Sequence, residues 1–509
     1  MRFSRAAGVL LHPTSLPGGY GIGDLGDAAY RFVDFLAKSG QSHWQVLPLG
    51  PTGYGDSPYA CFSALAGNPL LIDLDDLATA GDIEASELQE APNFPTDQVD
   101  FGAVISFKMA ILNRAARHFR AHASDERRAD FERFCEENAD WLDDYVLFMA
   151  LKDAHDGAVW NTWEWPLASR EPEAMEEARE RLDETIFART YFQYQFFRQW
   201  EALKAYANEQ GLSIIGDIPI FVAYDSVDVW ANPDLYFLDE NRLPTVVAGV
   251  PPDYFSPTGQ LWGNPLYRWE EMAKNGYDWW ISRVRQTLRM VDIIRLDHFR
   301  GFAAYWEVPA GEPNAINGHW AGGPGADFFN KLQEALGDTL PLIAEDLGHI
   351  TEDVDELREQ FNLPGMKVLQ FAFTSGPDNP YLPHNLTRDA VIYTGTHDND
   401  TTMGWYESRE DEELHAMWRY IGPTDEPVNW VLMRMAYRSV ANLAVVPLQD
   451  ILSLGTEARM NSPGKFGGNW TWRFRARDLT ERHWQRLLEM ALTYGRKEPE
   501  VKQDRPDWM

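Results

Sequence analysis

VDIIRLDHFRGF, residues Val291 to Phe302, is the stretch whose reading decides the fold. A short aliphatic run, Ile293, Ile294 and Leu296, is interrupted by Arg295 and ends at Asp297, His298 and Arg300. A buried parallel strand that delivers polar groups to a site has this pattern. Arg295 and Asp297 are two apart, so on a strand both point to one face. A cation beside a carboxylate favours its charged form, which suits a nucleophile or an electrostatic stabiliser. A structural Arg–Asp ion pair at a strand end accounts for the same residues, so the surrounding chain has to decide.

Working outward, the same strand pattern recurs. Gly8 to His12 and Trp44 to Leu49 read as strands, and Ser213 to Val222 is a third, with Asp217 at its polar end. After the opening stretch come Leu340 to Asp346, ending at Glu345, then Met366 to Phe373, Ala390 to Asp400, which delivers His397 and Asp398, and Ala444 to Asp450. Helical spacing fills the gaps at Asp27 to Lys38, Trp269 to Arg289, Phe328 to Leu336, Thr351 to Phe361, Glu410 to Tyr420 and Val428 to Ala441. Eight strands with helical crossovers, several ending in Asp, Glu or His, fit an α/β fold of the (β/α)8 TIM-barrel type. Its site lies at the C-terminal strand ends. An open doubly wound sheet is the alternative, but no GxGxxG or Walker loop supports it.

Length is accounted for by insertions after strands 2 and 3. From about residue 70 to 211 the pattern is long, charged and helical (Phe107 to His122, Asp125 to Asp153, Pro172 to Gln210), which reads as a helical insertion beside the site. A second insertion spans about 223–290. Within it, residues 247–267 form a Pro- and Gly-rich stretch around Asp253, Phe255 and Trp262 that reads as a long irregular binding loop or lid. The whole of 1–509 is expected to be one catalytic domain.

Composition narrows the partners. Asp and Glu outnumber Lys and Arg by 78 to 45, a formal charge of −33, which repels nucleic acid and anionic membranes. Twenty Trp and 20 Tyr are more than a core alone usually requires, and flat aromatic faces can stack on sugar rings. Cys61 and Cys135 make no disulfide framework, and neither CxxC nor HExxH is present. The apolar run behind Arg2 and Arg5 stops at His12-Pro13, too short for a signal peptide, and no stretch reaches membrane-spanning length. The expectation is a cytoplasmic protein that engages neither membrane nor nucleic acid.

Three strand ends carry acids: Arg295/Asp297/His298, Glu345/Asp346 and His397/Asp398. In a barrel these ends converge, and three carboxyl groups in one pocket suit retaining glycosyl transfer. One attacks the anomeric carbon while another protonates the leaving oxygen. The loop Gly50 to Tyr59, with Tyr54, Ser57 and Tyr59 among its glycines and prolines, is placed where α/β folds bind ligands, although an ordinary surface loop fits it as well.

The motifs as a set resemble the amylomaltases, the 4-α-glucanotransferases of glycoside hydrolase family 77 in the α-amylase clan. The resemblance runs from HPTSLPGGYGIGDLG through GYGDSPY, GDIPIFV, AGVPPDYFSPTGQLWGNPLY, RLDHFRGF, IAEDLG and GTHDNDT to PLQDILSLGTEARMNSPG, in the family's order. It implies Asp297 as nucleophile with Arg295 beside it, Glu345 as general acid/base and Asp398 as third carboxylate. It further implies that Ser57, Tyr59, Asp217, His298 and His397 line the donor sugar, that Asp253, Phe255 and Trp262 shape the acceptor side, and that Tyr54 holds a distant part of the glucan. Malto-oligosaccharides and glucose are the implied partners, with amylose a further candidate. Neither cofactor nor metal is implied, and no C-terminal β-domain. An α-glucan hydrolase would use the same three acids. A metal-dependent barrel hydrolase would want His-x-His at the first strand end, where this chain has His12-Pro13-Thr14. A non-catalytic glucan-binding protein is the third alternative.

Overall fold

Eight parallel strands close on themselves: β1 (Ala6–Leu10), β2 (His43–Gln45), β3 (Ser213–Pro219), β4 (Ile293–Asp297), β5 (Leu342–Ala344), β6 (Gly365–Val368), β7 (Ala390–Tyr393) and β8 (Leu443–Pro447). Each neighbours the next in sequence, and β8 returns to β1 in parallel, Ala6 paired with Leu443 and Leu10 with Pro447. The structure, a computed structural model, describes residues 3–252, 256–465 and 467–498. This is the (β/α)8 barrel that the strand count implies, and each expected strand is present.

Two strands are shorter than their apolar runs suggest. β2 stops at Gln45; Val46 still donates to Ile215 O at 2.8 Å, and Leu47 to Leu49 are buried outside any strand. β6 stops at Val368 because Leu369–Phe371 turns into a short 3-10 segment, so the expected strand to Phe373 is half strand and half turn. In both cases apolarity reports burial and not extension.

Helix Asp27–Lys38 follows its spacing, burying Ala29, Phe32, Val33, Phe35 and Leu36 on one face. Three of the long helical patterns elsewhere are broken once each. Asn138 separates Asp125–Glu137 from Ala139–Ala154, its side chain donating to Phe134 O at 2.7 Å. Leu182 separates Pro172–Arg181 from Asp183–Glu209, and left-handed Gly276 and Tyr277 separate Trp269–Lys274 from Asp278–Met290. The helices between β2 and β3 lie against the barrel. Gln193, on Asp183–Glu209, exchanges two hydrogen bonds with the backbone of Gly67 (2.8 and 2.9 Å), and Trp200 donates to Met290 O at 2.7 Å.

A second sheet was not legible as such. Val246–Val250 pairs antiparallel with Gln260–Pro265 on one side and with Ala304–Pro309 on the other, and His319–Gly322 completes it. The stretch read as a long irregular loop, 247–267, is therefore largely a hairpin. Its pairing shifts register between Val247 and Gly249, and Gly259 and Gly263 sit at positive φ, where a side chain would be strained. The segment after β4 is likewise more than a crossover, since it supplies the other two strands. Among the described residues no strand follows Pro447, and helix Glu481–Thr493 packs back near the start of the barrel.

Candidate active site

Register brings the first polar group of the site into place. On β3 and β4 Asp217 is paired with Arg295 and Pro219 with Asp297, so Asp217 and Arg295 face each other inside the barrel. Arg295 Nη1 donates to both Asp217 oxygens at 2.9 and 2.7 Å, while Nη2 reaches Asp297 Oδ1 at 2.8 Å. Its Nε donates to Met366 Sδ at 3.3 Å. Burial alone would lower Arg295's pKa, but the two carboxylates raise it well above its ordinary value, so the guanidinium stays charged. Tyr59 donates its hydroxyl to Asp217 Oδ2 at 2.9 Å, which ties the loop after β2 to this ion cluster. Burial pushes Asp217's carboxyl up, Arg295 pulls it back, and the charge on Asp297 adds to the rise.

Glu345 stands at the end of β5, where its backbone N–H donates to Leu296 O at 3.0 Å. The chain turns sharply after Asp297, with His298 in the left-handed region, and this aims the His298 N–H at Glu345 Oε2, 2.7 Å away. Leu347 N–H donates to the other oxygen at 2.9 Å. Burial and then the charge on Asp297 push the Glu345 carboxyl up to about 7, against the pull of Arg295 and the two N–H donors. A carboxyl group whose burial favours its protonated form, beside a second carboxyl group that a guanidinium contacts, is the arrangement an acid and a nucleophile require.

The third strand end supplies His397 and Asp398. His397 lies 5.0 Å from the Tyr59 ring at 17°, and Trp470 flanks both. Burial lowers the His397 pKa, so the ring is neutral. Asp398 is 47% exposed and points into the cleft, where its Oδ1 accepts from Asn461 Nδ2 at 2.6 Å, with His397 Nε2 at 3.4 Å. Ser57, Tyr59, Trp262, Asp297, His397 and Asp398 border one cleft of about 470 Å³. Its remaining wall includes Tyr224, Gln260, Asn264, Asn461 and Trp470.

The sequence matches the 4-alpha-glucanotransferase profile of glycoside hydrolase family 77 over residues 11–480. The chain belongs to the 4-alpha-glucanotransferase family. It is 53% identical to the 4-alpha-glucanotransferase of Thermus thermophilus over 499 residues, covering 96% of this chain and 99% of that one. Identity to the Synechocystis 4-alpha-glucanotransferase is 51% over 496 residues, 97% and 98% of the two chains. Among solved structures, an amylomaltase from Streptococcus agalactiae in complex with acarbose superposes with a TM-score of 0.94 at 40% identity, covering 97% of this chain and all of that one. The motifs therefore resemble the right family, and the chain is a glycosyl-transferring enzyme acting on α-1,4-glucans.

In this glucanotransferase the other expected site residues fall in three places. His298, next to Asp297, is half-buried; loss of solvent lowers its pKa to about 4, and its ring stands edge-on to Trp262 at 4.8 Å. Trp262 stands half-exposed on the hairpin, its indole N–H on Gln260 Oε1 at 3.1 Å. Tyr54 is 87% exposed and does not border the cleft. Asp253 and Phe255 lie outside the described residues. Sequence reasoning gave no role to Asn461, which opens the Gly-rich run NSPGKFGGN (461–469), or to Trp470 directly after it. Among the described residues, no helix is long and apolar enough to cross a membrane.

Proposed function

We propose that the chain moves a segment of an α-1,4-glucan to the 4-hydroxyl of glucose or of another malto-oligosaccharide by retaining double displacement. Asp297 attacks the anomeric carbon while Glu345, protonated, gives its proton to the departing glycosidic oxygen. This leaves a glycosyl ester on Asp297 and a carboxylate on Glu345. The incoming 4-hydroxyl then loses its proton to Glu345 as its oxygen displaces Asp297, and the α-linkage is restored. The observation that carries this reading is the pairing of a carboxylate gripped by Arg295 at 2.8 Å with a neighbouring carboxyl raised to about 7.

Asp398 is the third carboxylate, binding sugar hydroxyls more strongly as the ring distorts. Ser57, Tyr59, Asp217, His298 and His397 surround the donor sugar, and Tyr54 holds a glucan farther along. Residues 247–267 act as the lid, Asp253, Phe255 and Trp262 shaping the acceptor side and keeping water from the intermediate. The insertions at about 70–211 and 223–290 serve one catalytic unit, 1–509. No cofactor takes part, since every step is a proton transfer or a carboxylate displacement. Unpaired Cys61 and Cys135 suit a reducing, cytoplasmic setting.

Incubating the purified protein with maltotriose alone and resolving chain lengths over time tests this. The expected result is free glucose together with a ladder of longer maltodextrins. Glucose and maltose accumulating without longer chains would make the protein a hydrolase.

A further inference from the structure

The loop that carries His397 and Asp398 leaves β7 at Thr394 and enters helix Thr402–Glu407. Its tip is shaped locally. Asn399 Oδ1 accepts from Thr396 N and Thr396 Oγ1, both at 2.9 Å, and the Asp398 N–H reaches Thr396 Oγ1 at 3.3 Å. Bonds within a loop fix its shape but not where it stands in the barrel.

That second task falls to one carboxylate from the next strand. Asp450, in helix Leu448–Ile451 directly after β8, is 1% exposed. Its Oδ2 accepts from Thr394 Oγ1 at 2.5 Å and Thr402 Oγ1 at 2.7 Å, and its Oδ1 accepts from Thr402 N at 2.7 Å. One side chain thus holds both ends of the loop, and both threonines are fully buried. Asp450 is itself fixed, because Asn429 Nδ2 donates to its carbonyl at 2.7 Å. The same chain segment reaches the loop again through Thr456 Oγ1 on Asp400 Oδ2 at 2.8 Å and an Arg459 amino group on Asp398 O at 2.6 Å. It packs without slack, since a Cβ on Gly404 would lie 2.1 Å from Thr456 Oγ1. Thr394, Thr402 and Asp450 do not border the cleft.

We infer that Asp450 is a positioning residue for the transfer reaction: by clamping Thr394 and Thr402 it sets where Asp398 stands against the donor sugar. This rests on the role given to Asp398 under the proposed function. A carboxylate only accepts hydrogen bonds, and here it meets three donors; an amide in its place would turn two donors of its own toward them. Burial pushes the Asp450 carboxyl up, and the Thr394 and Thr402 donors work against that shift. Because Asp398 acts on the distorted ring, misplacing it should lower kcat more than it raises KM.

The experiment compares Asp450→Asn, Thr402→Val, Thr402→Ser and Asp398→Asn with the parent enzyme. Rates are measured with maltotriose, and with α-maltosyl fluoride to keep weak variants measurable, per amount of folded protein. The expected result is a kcat loss of ~10- to 100-fold for Asp450→Asn and Thr402→Val at nearly unchanged KM, with Thr402→Ser close to the parent. Asp450→Asn added to Asp398→Asn should cause little further loss. Should Asp450→Asn fail to fold, the Thr402 pair, which keeps the buried shape, carries the test. Parent-like kcat in Thr402→Val, or a loss from Asp450→Asn that multiplies in full onto Asp398→Asn, would overturn the inference alone. Full activity in Asp398→Asn would instead remove the reading of Asp398 on which it rests.

Discussion

Glu345 and Asp297 belong to neighbouring strands, yet only Asp297 has a guanidinium on its carboxylate, at 2.8 Å; Glu345 has two backbone N–H donors and deep burial. In the proposed mechanism the difference suits Asp297 to attack and Glu345 to give up a proton. As the proposed acid of the first step, Glu345 must hold a proton, so kcat/KM on maltotriose should fall as pH rises through about 7. Glu345→Gln should lower turnover of maltotriose by ~10³-fold and abolish that alkaline limb, while glycosylation by α-maltosyl fluoride, whose leaving group needs no proton, is largely spared. Stability has a definite sign too. The folded pKa lies above the ordinary 4.5, so this group's favourable contribution is complete below pH 4.5 and is lost as pH rises toward 7. The melting temperature of Glu345→Gln relative to the parent should therefore rise between pH 5 and pH 8. These acids were legible in the sequence because each ends an apolar strand, and strand ends converge in a barrel. Asp450 and Asn461 were not, because each acts on the loop after β7 from the segment after β8, a contact made by barrel closure and invisible to local spacing.

At the scale of elements, the proposed function gives the choice between transfer and hydrolysis to the hairpin of Val246–Val250 with Gln260–Pro265. It places Trp262 edge-on to His298, at the rim of the cleft. Trp262→Ala should leave cleavage of maltotriose largely intact while raising the ratio of glucose release to chain lengthening by ~10-fold, read from the product ladder. The hairpin escaped the sequence because its glycines and prolines, which mark a turn-rich loop, here serve a register shift and positive φ at Gly259 and Gly263. The helix breaks at Asn138 and Leu182 escaped for the opposite reason. Apolar spacing continues through them, and only the backbone, with φ of −121° and −106°, departs from the helix.

For the whole molecule the question is what holds the barrel shut. β1 and β8 meet as first and last strands, and the chain crosses that seam with Arg496, which donates to the carbonyls of Ala6, Ala436, Tyr437, Ala441 and Asn442 at 2.6 to 3.1 Å. Arg5 adds bonds to Tyr437, Ser439 and Tyr494 carbonyls at 2.7 to 2.9 Å. Replacing Arg496 with Met would leave five carbonyls without this donor. The expected cost is on the order of 3 kcal/mol, seen as a lower unfolding midpoint, with unchanged kcat in the fraction that remains folded. The barrel itself was legible because eight apolar runs alternate with helical spacing. Its clasp was not, since it joins residues nearly 500 apart in the chain.

The claim on which the rest depends is a glycosyl ester on Asp297, and it can be trapped. Glu345→Gln incubated with α-maltosyl fluoride and no acceptor should form the ester, because fluoride leaves unaided, and then retain it, because no base activates water. Mass spectrometry of the quenched, digested protein is predicted to find one maltosyl unit on the peptide containing Asp297, and none when Asp297→Asn is added. A maltosyl unit on any other residue, or fluoride release with no labelled peptide in the Glu345→Gln protein, would contradict the account.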